Sequence, residues 1–414
     1  MITVYTPYLT DRLSYVLDFC FEDKGVDYQV IHNKEEWEKL SIQSINYSND
    51  LVSAVLNWSP QGILFESDIY PSKSLEFDEG DYKLDGVNDP FGVIFFLLTN
   101  YTEYYNQDKD QHGRFKSENH PLVKLNQHQE PIVDLLIKEI WCSLGLDYHP
   151  IASQYDLAPT FDIDIAWAYK ERPLVRAIGG AIKGGKPLHR LQVLSGAKKD
   201  PYDTYDQIRE IASRLKKTTC FFLLGDYGPF DKNITWDNEA YQTLIKDLQK
   251  NVQIGIHPSY ASYLNIDQIL VEKKRLEIIS GEEIKKSRQH FLRLTIPRTY
   301  QVLAAAGLKE DYSMGFADQI GFRAGTSFSY AFFDLIDNRK TDLIIHPFAY
   351  MDSALKDYLG WDTRQAIKAI EKMRNSIRAV GGTFSFIWHN SSIHNSAEWQ
   401  GWGDVLKETL NEND

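Results

Sequence analysis

The chain has 414 residues, 43% of them hydrophobic and 25% charged, which is an ordinary composition for a globular protein with a sizeable core. Its net charge of −13 argues against general nucleic-acid binding, because an acidic protein is repelled by phosphate backbones. Three widely spaced cysteines indicate neither a disulfide framework nor a cysteine zinc site, and no apolar run approaches the roughly 18 residues that a membrane span requires.

The first 150 residues predict an α+β unit that has no simple repeat. Helices are expected over 12–25, 90–106 and 130–145, and strands over 26–31 and near 43–48 and 62–67. The polar stretch 106–121 between the two later helices predicts an exposed loop. The segment 146–159 looks like a boundary. We therefore predict one domain over 1–150, whose role is not legible from its residues, and a second over 151–414.

The second half alternates short apolar runs with amphipathic stretches, which predicts an α/β fold with a parallel sheet. The expected strands are "PTFDIDIA", "TCFFLLG", "VQIGIHP", "SRQHFLRL", "TDLIIHPFAY" and "GTFSFIWHN". The expected helices are "TYDQIREIASRLKK", "NEAYQTLIKDLQKN", "IDQILVEKKRLEII", "PRTYQVLAAAG" and "TRQAIKAIEKMRNSIRAVGG". This number of strand–helix units favours a closed or nearly closed β/α barrel, in which chemistry occurs at the carboxyl ends of the strands.

Titratable side chains recur at those strand ends. They are Asp162, Asp164, His257, His290, His346 and His389. Two neighbouring carboxylates repel each other, and a divalent metal resolves the conflict if one coordinates it and the other stays free as a base. Such a metal would polarise a carbonyl oxygen and lower the pKa of a bound water, while a histidine protonates the leaving group. The pattern predicts metal-assisted hydrolysis of an amide or ester, although capping and core roles for these residues remain open.

Four stretches carry a family resemblance. "TFDIDIA", "IGIHPSYAS", "RQHFLRLTIPRTY" and "FSFIWHN" follow the order of the motifs of the NodB-homology polysaccharide deacetylases, carbohydrate esterase family 4. The resemblance covers about residues 155–395. It implies a distorted (β/α)7 barrel that removes N- or O-acetyl groups from sugars with a divalent metal, zinc first, with iron, cobalt or nickel as alternatives. By motif position it implies that Asp162 is the base, Asp164 and His257 are metal ligands, and His389 is the general acid.

The sequence also departs from the family pattern. Where the family has a second metal histidine, four residues after His257, this chain has Ala261. His290 is the predicted replacement ligand, with a substrate contact or a structural role as alternatives. Arg288 and Arg293 both compete to orient the base. We assign that role to Arg293 and assign Arg288 to substrate binding.

Other features concern substrate and partners. Arg323, between two glycines in "GFRAGT", is predicted to bind an anionic part of the substrate, with a surface salt bridge as the alternative. Trp388 is predicted to form an apolar wall for an acetyl methyl group, unless it belongs to the core. The segment 170–199 carries eight Lys and Arg against one acid, which suggests a weak contact with an anionic membrane surface or carrier, with a solvated connection as the alternative. A start without signal-peptide features predicts a cytoplasmic protein.

The preferred function is therefore a metal-dependent deacetylase of an N- or O-acetylated sugar or glycan precursor. One alternative is a catalytically silent barrel that binds glycans or assembles partners, which the alanine at position 261 favours. Another is a metal amidohydrolase that acts on a small non-sugar amide.

Overall fold

The structure is a computed structural model. It describes residues 1–37, 44–78, 80–149, 155–171, 187–394 and 398–411. Among these residues, none of the helices combines the length and the apolar character needed to cross a membrane.

The first part of the chain builds a small parallel sheet of order β2-β1-β3-β4 and a separate antiparallel hairpin. Its strands are β1 (Ile2–Tyr5), β2 (Tyr28–Ile31), β3 (Ser44–Tyr47), β4 (Leu56–Trp58), β5 (Leu75–Asp78) and β6 (Asp81–Leu84). Its helices are α1 (Asp11–Cys20), α2 (Lys34–Trp37), α3 (Pro90–Leu98), α4 (Pro121–Lys124) and α5 (Ile132–Ser143). Almost every side chain of α3 is buried, as its continuous apolar sequence predicts.

The second part builds an eight-stranded sheet of order β12-β13-β11-β10-β9-β8-β7-β14. Its strands are β7 (Asp156–Ile163), β8 (Thr219–Phe222), β9 (Gln253–Ile256), β10 (Lys286–Ser287), β11 (Glu310–Asp311), β12 (Tyr330–Asp334), β13 (Arg339–Ile345) and β14 (Thr383–His389). Every neighbouring pair is parallel except β12 with β13. The predicted α/β class with a parallel sheet is confirmed.

Helices follow most of these strands. They are α6 (Pro187–Leu194), α7 (Tyr205–Arg214), α8 (Glu239–Leu248), α9 (Ile266–Ser280), α10 (Arg298–Ala305), α11 (Thr363–Val380) and α12 (Trp402–Thr409). The longest, α11, begins at a capping box between Asp362 and Gln365 and ends at Gly381, which adopts φ 65°. Its apolar residues recur at helical spacing and face the core.

The sheet curls into a barrel-like half-cylinder. The segment after β13 is hydrogen-bonded to β14: the Ala349 N–H donates to Ser385 O at 2.8 Å, and the Ile387 N–H donates to Tyr350 O at 2.9 Å. The arrangement agrees with an α/β barrel. Single-turn helices complete the chain path: Glu22–Lys24, Tyr101–Tyr104, Ser117–Asn119, Tyr260–Ser262, His290–Leu292 and the π turn Ala354–Tyr358.

Some local predictions were wrong. The stretch 62–67 forms turns rather than a strand, and six strands were not predicted: β1, β4, β5, β6, β11 and the antiparallel β12. The expected strand "SRQHFLRL" contributes only the end of β10 before the chain turns away.

Candidate metal centre

The site lies at the carboxyl ends of neighbouring parallel strands. Asp162 is near the end of β7, His257 directly follows β9, Arg288 directly follows β10 and His389 ends β14. Because parallel strands end at the same edge of a sheet, these side chains converge, as expected for a β/α barrel.

Asp164, His257 and His290 form a candidate three-residue metal site. One ligand atom from each lies within 4.8 Å of the others. Asp164 Oδ1 is 3.2 Å from His257 Nε2, and Asp164 Oδ2 is 3.7 Å from His290 Nε2. Asp164 Oδ1 is buried and accepts no hydrogen bond from the part of the chain that the structure describes. A carboxylate that faces two imidazoles, with one of its oxygens unsatisfied, provides the kind of donor set that zinc and related divalent ions prefer.

The other ring nitrogens of both histidines are held by the protein. His257 Nδ1 lies 2.5 Å from Arg288 O, and His290 Nδ1 lies 2.9 Å from Asp231 Oδ1. With Nδ1 as the donor in each case, both Nε2 atoms are left as acceptors directed towards Asp164. This outer support is typical of metal-binding histidines, and the residues present therefore fit a divalent ion.

The carboxylate and histidine charges stabilise each other. Burial acts to raise the pKa of Asp164, but the charge of His290 and the contacts with His257 and His290 outweigh it, so that the pKa lies well below the ordinary value. Burial lowers the pKa of His290, whereas Asp164 and Asp231 raise it, to about 9. The pocket thus favours positive charge beside Asp164, and a metal ion would compete with a proton for His290.

Asp231 was not among the predicted site residues. Its Oδ1 also accepts the Tyr260 N–H at 2.8 Å, and its Oδ2 accepts the Ala261 N–H at 3.2 Å. Hydrogen bonds from His290 and these amides keep its pKa low against the opposing effect of burial. Its only sequence signal was an acidic residue in the loop after β8, a carboxyl-terminal strand end.

Asp162 is paired with Arg288. The Arg288 Nη1 donates to Asp162 Oδ1 at 2.9 Å and to Thr160 Oγ1 at 2.7 Å, and its Nε donates to Tyr312 O at 2.9 Å. The Arg288 side chain is fully buried. The other oxygen, Asp162 Oδ2, lies 3.7 Å from His257 Nε2 and therefore faces the candidate metal site.

His389 faces the same site from β14. Its Nδ1 is 2.7 Å from Asp352 Oδ1, and its Nε2 is 3.7 Å from Asp164 Oδ2. Burial lowers the pKa of His389, but the charge and hydrogen bond of Asp352 and the charges of Asp164 and Asp162 raise it to about 10. Asp352 is fully buried and also accepts the backbone N–H of His389 at 2.9 Å.

The backbone beside His290 is strained. Phe291 and Leu292 adopt φ 58° and 51°, the left-handed region that side chains with a Cβ seldom occupy. Such conformations cost about 1–3 kcal/mol each and cluster at functional sites. Here they turn the chain immediately after His290, which lies beyond the end of β10.

The structure does not place three predicted residues on the site. Arg293, the predicted orienting arginine, donates to His112 O and Tyr260 O and packs on the ring of Tyr260, so Arg288 occupies the position beside Asp162 instead. Arg323 makes a buried bidentate salt bridge with Glu103 at 2.6 and 2.8 Å, which leaves it no access to substrate.

Trp388 is fully buried within the main hydrophobic core, next to Tyr350, because it points to the face of β14 opposite His389. It does not line the site cavity.

His346 lines a second cavity, where its Nδ1 lies 2.7 Å from Ser329 Oγ and its Nε2 lies 3.0 Å from Glu310.

The basic segment is only partly described, because residues 172–186 lie outside the described ranges. Of the described cations, Arg190 is buried over the Tyr169 ring, and Lys199 pairs with Asp203 and Asp206. Helix α6 exposes Leu188, Leu191 and Leu194 at spacings of three residues.

A cavity of about 230 Å³ opens onto the candidate metal site. Its lining includes Asp162, Asp164, His257, His290 and His389 from the second half of the chain. It also includes Arg114, from the polar stretch 106–121 that was predicted to be an exposed loop. Arg114 is only 8% exposed, and no periodicity could have revealed it, because it lies outside any helix or strand.

One family model matches the first part of the chain. A family of unknown function, DUF7033, matches residues 2–148. No protein of curated function matches the sequence.

Among the solved structures that resemble the chain, three show how low the similarity is. One is described as a polysaccharide deacetylase from Mycobacterium smegmatis (16% identity, TM-score 0.41, 64% of this chain and 86% of the other). The second is a 4-alpha-glucanotransferase from Thermococcus litoralis (13%, 0.35, 63% and 38%), so this chain spans well under half of that protein. The third is a de-N-acetylase from Aggregatibacter actinomycetemcomitans (11%, 0.21, 39% and 88%). Every one of these TM-scores is below 0.5.

Proposed function

We propose that the chain is a metal-dependent deacetylase that hydrolyses the acetyl group of an acetylated sugar. The observation that carries this proposal is the convergence of three units on one cavity: the candidate ligands Asp164, His257 and His290, the Asp162–Arg288 pair, and the His389–Asp352 pair. They provide a metal site, a carboxylate base and a protonated imidazole, which together are the groups that amide or ester hydrolysis requires.

Asp164, His257 and His290 would hold the metal, with zinc preferred and iron, cobalt or nickel as alternatives. When bound, the ion would polarise the acetyl carbonyl and make water more acidic. Asp162 is the proposed base: Arg288 binds its Oδ1 and fixes the carboxylate, while Oδ2 faces the cavity and is free to accept a proton from water.

His389 is the proposed general acid. The Asp352 carboxylate keeps its imidazole protonated and fixes the ring through Nδ1, so the proton on Nε2 is directed into the cavity. The oxygen of the water that Asp162 deprotonates forms a new bond to the acetyl carbon, and transfer of the His389 proton to the sugar nitrogen or oxygen allows the original C–N or C–O bond to break. Acetate and a free sugar amine or hydroxyl are the products.

The test is metal content together with acetate release. We expect the purified protein to bind one divalent ion, and Asp164→Ala and His257→Ala to lose both the ion and acetate release from N-acetyl sugars. His346→Ala, which alters a histidine of the other cavity, is the matched control and should keep both. A folded protein that binds no zinc, iron, cobalt or nickel would instead be a binding module. Metal binding with hydrolysis only of non-sugar amides would identify the amidohydrolase alternative.

A weak contact with an anionic membrane surface remains a second proposal. The exposed leucines of α6 support it, since they lie on neighbouring turns within the basic segment 170–199.

A further inference from the structure

The polar stretch 106–121 contains an ordered hairpin whose tip is fixed by one carboxylate. Asp110 Oδ1 accepts the N–H groups of His112 and Arg114 at 2.8 and 2.9 Å, and Asp110 Oδ2 accepts the Arg114 Nε–H at 2.6 Å. Gly113 adopts φ 78°, which a glycine occupies without strain. The tip therefore presents Arg114 in a defined direction.

This tip lies against the segment that carries His290. Arg114 Nη1 donates to Phe291 O at 3.2 Å, and Arg293 Nε donates in return to His112 O at 2.8 Å. The ring of His112 lies 5.0 Å from that of Phe291. The first part of the chain thus contributes one wall of a site whose candidate metal ligands all come from the second part.

The Arg114 guanidinium has N–H donors that no described residue accepts. A guanidinium carries five N–H donors. Three are engaged by Asp110, Phe291 O and the Tyr358 hydroxyl, the last at 3.2 Å, which leaves two without a partner among the described residues. The Asp110 carboxylate offsets the free-energy cost of burying the Arg114 charge. An unpaired N–H group that lines a cavity is stabilised when a ligand supplies an acceptor for it.

We propose that Arg114 is a substrate-binding residue, which donates its free N–H groups to an oxygen of the sugar beside the acetyl group. This inference rests on the proposed deacetylase function for the identity of the ligand. The oxygen acceptor can belong to a hydroxyl group of a neutral sugar or to a carboxylate on an acidic one. Arg114 thereby makes the first 150 residues part of the substrate site.

The test compares Arg114→Gln, Arg114→Lys and a control, Lys116→Gln, in the full chain loaded with zinc. Lys116 lies on the same hairpin and makes surface salt bridges with Asp108 and Glu118, outside the cavity. Acetate release is measured on N-acetylglucosamine oligomers and on N-acetylmuramic acid, which carries a carboxylate. Binding of each sugar is measured separately by calorimetry.

For Arg114→Gln we expect KM and the dissociation constant to rise roughly 10- to 100-fold, the usual effect of losing a charged hydrogen bond, with kcat and zinc content little changed. Equal losses on both sugars identify a hydroxyl acceptor, whereas a larger loss on the acidic sugar, partly rescued by Arg114→Lys, identifies a carboxylate. If the glutamine variant does not fold, the lysine variant carries the test, because it keeps the charge but not the planar fork.

Acetate release with unchanged KM in the Arg114 variants would overturn this inference and leave the deacetylase standing. If sugar binding depends on Arg114 but the wild type releases no acetate, the Arg114 inference stands and the deacetylase proposal fails. If the zinc-loaded wild type neither binds nor hydrolyses these sugars, both proposals fail.

Discussion

The contact between Asp231 and His290 is predicted to set metal affinity. Asp231 Oδ1 holds His290 Nδ1 at 2.9 Å and the Tyr260 N–H at 2.8 Å, and Oδ2 holds the Ala261 N–H at 3.2 Å. Asp231→Asn keeps the shape and one acceptor oxygen. It removes the negative charge behind the imidazole and places an NH2 group where a carboxylate oxygen accepted an amide.

The imidazole of His290 should then be a weaker and less firmly oriented ligand. Changes of such supporting residues typically reduce metal affinity 10- to 100-fold, which corresponds to about 1.4–2.8 kcal/mol. The assay is a competitive zinc titration against a chromophoric chelator at fixed pH and ionic strength, with urea unfolding as a check on the fold.

Asp226→Asn is the matched control. Asp226 lies in the same loop, but its side chain is 73% exposed and pairs with Arg275 at 2.9 Å, a surface interaction that contributes little. If Asp231→Asn and Asp226→Asn bind zinc equally well while both remain folded, then Asp231 does not support a metal ligand, and our interpretation of His290 as the third ligand is wrong.

Three other predictions concern the acid, the core and the exposed helix. Asp352→Asn should lower kcat at least about 100-fold with KM and zinc content unchanged, because it removes the charge that keeps His389 protonated; unchanged kcat would exclude His389 as the acid. Burial, and then the charge of Arg323, lower the pKa of His120 to about 3. Between pH 6.5 and pH 3 the imidazole is therefore protonated in the unfolded state but neutral in the folded state. Stability should fall as pH drops below 6.5, by about 2 kcal/mol at pH 5, and urea unfolding of His120→Asn should lack this component. Replacing Leu188 and Leu191 by Ser should weaken sedimentation with anionic vesicles; equal sedimentation would discard the membrane contact.

The sequence predicted the long and strongly patterned elements well. Strands β7 and β14 and helix α11 were all recognisable, because each has a continuous buried stretch or a clear helical period. Two-residue strands such as β10 and β11 are too short to show any period. The left-handed turn at Phe291 and Leu292 depends on tertiary contacts and has no local sequence signal.

The candidate site shows the same division. The motif resemblance implied Asp164 and His257 as ligands, and His290 was predicted because it lies at the next strand; the structure brings ligand atoms of all three within 4.8 Å after strands β7, β9 and β10. Strand alternation separated Arg288 from Arg293 but could not tell which faces Asp162. The choice of Arg293 failed because β10 ends before it, so that alternation no longer applies. Arg114 and Asp231 lie in loops, where position is set by hydrogen bonds between distant segments rather than by any period.

The alanine at position 261 need not mean an incomplete site. The resemblance to deacetylases expects a histidine there, yet the backbone N–H of Ala261 instead donates to Asp231, and Asp231 holds His290 with Nε2 towards Asp164. The turn in which the resemblance expects a ligand therefore supports His290, the proposed third ligand. If that proposal holds, restoring a histidine at position 261 alone should not strengthen zinc binding, because the third ligand position is already filled. In the His290→Ala variant, the same added histidine should strengthen zinc binding. The chelator titration compares its effect in the wild-type chain and in His290→Ala. If the added histidine tightens zinc binding equally in both, the two positions are independent and the exchange of ligands did not occur.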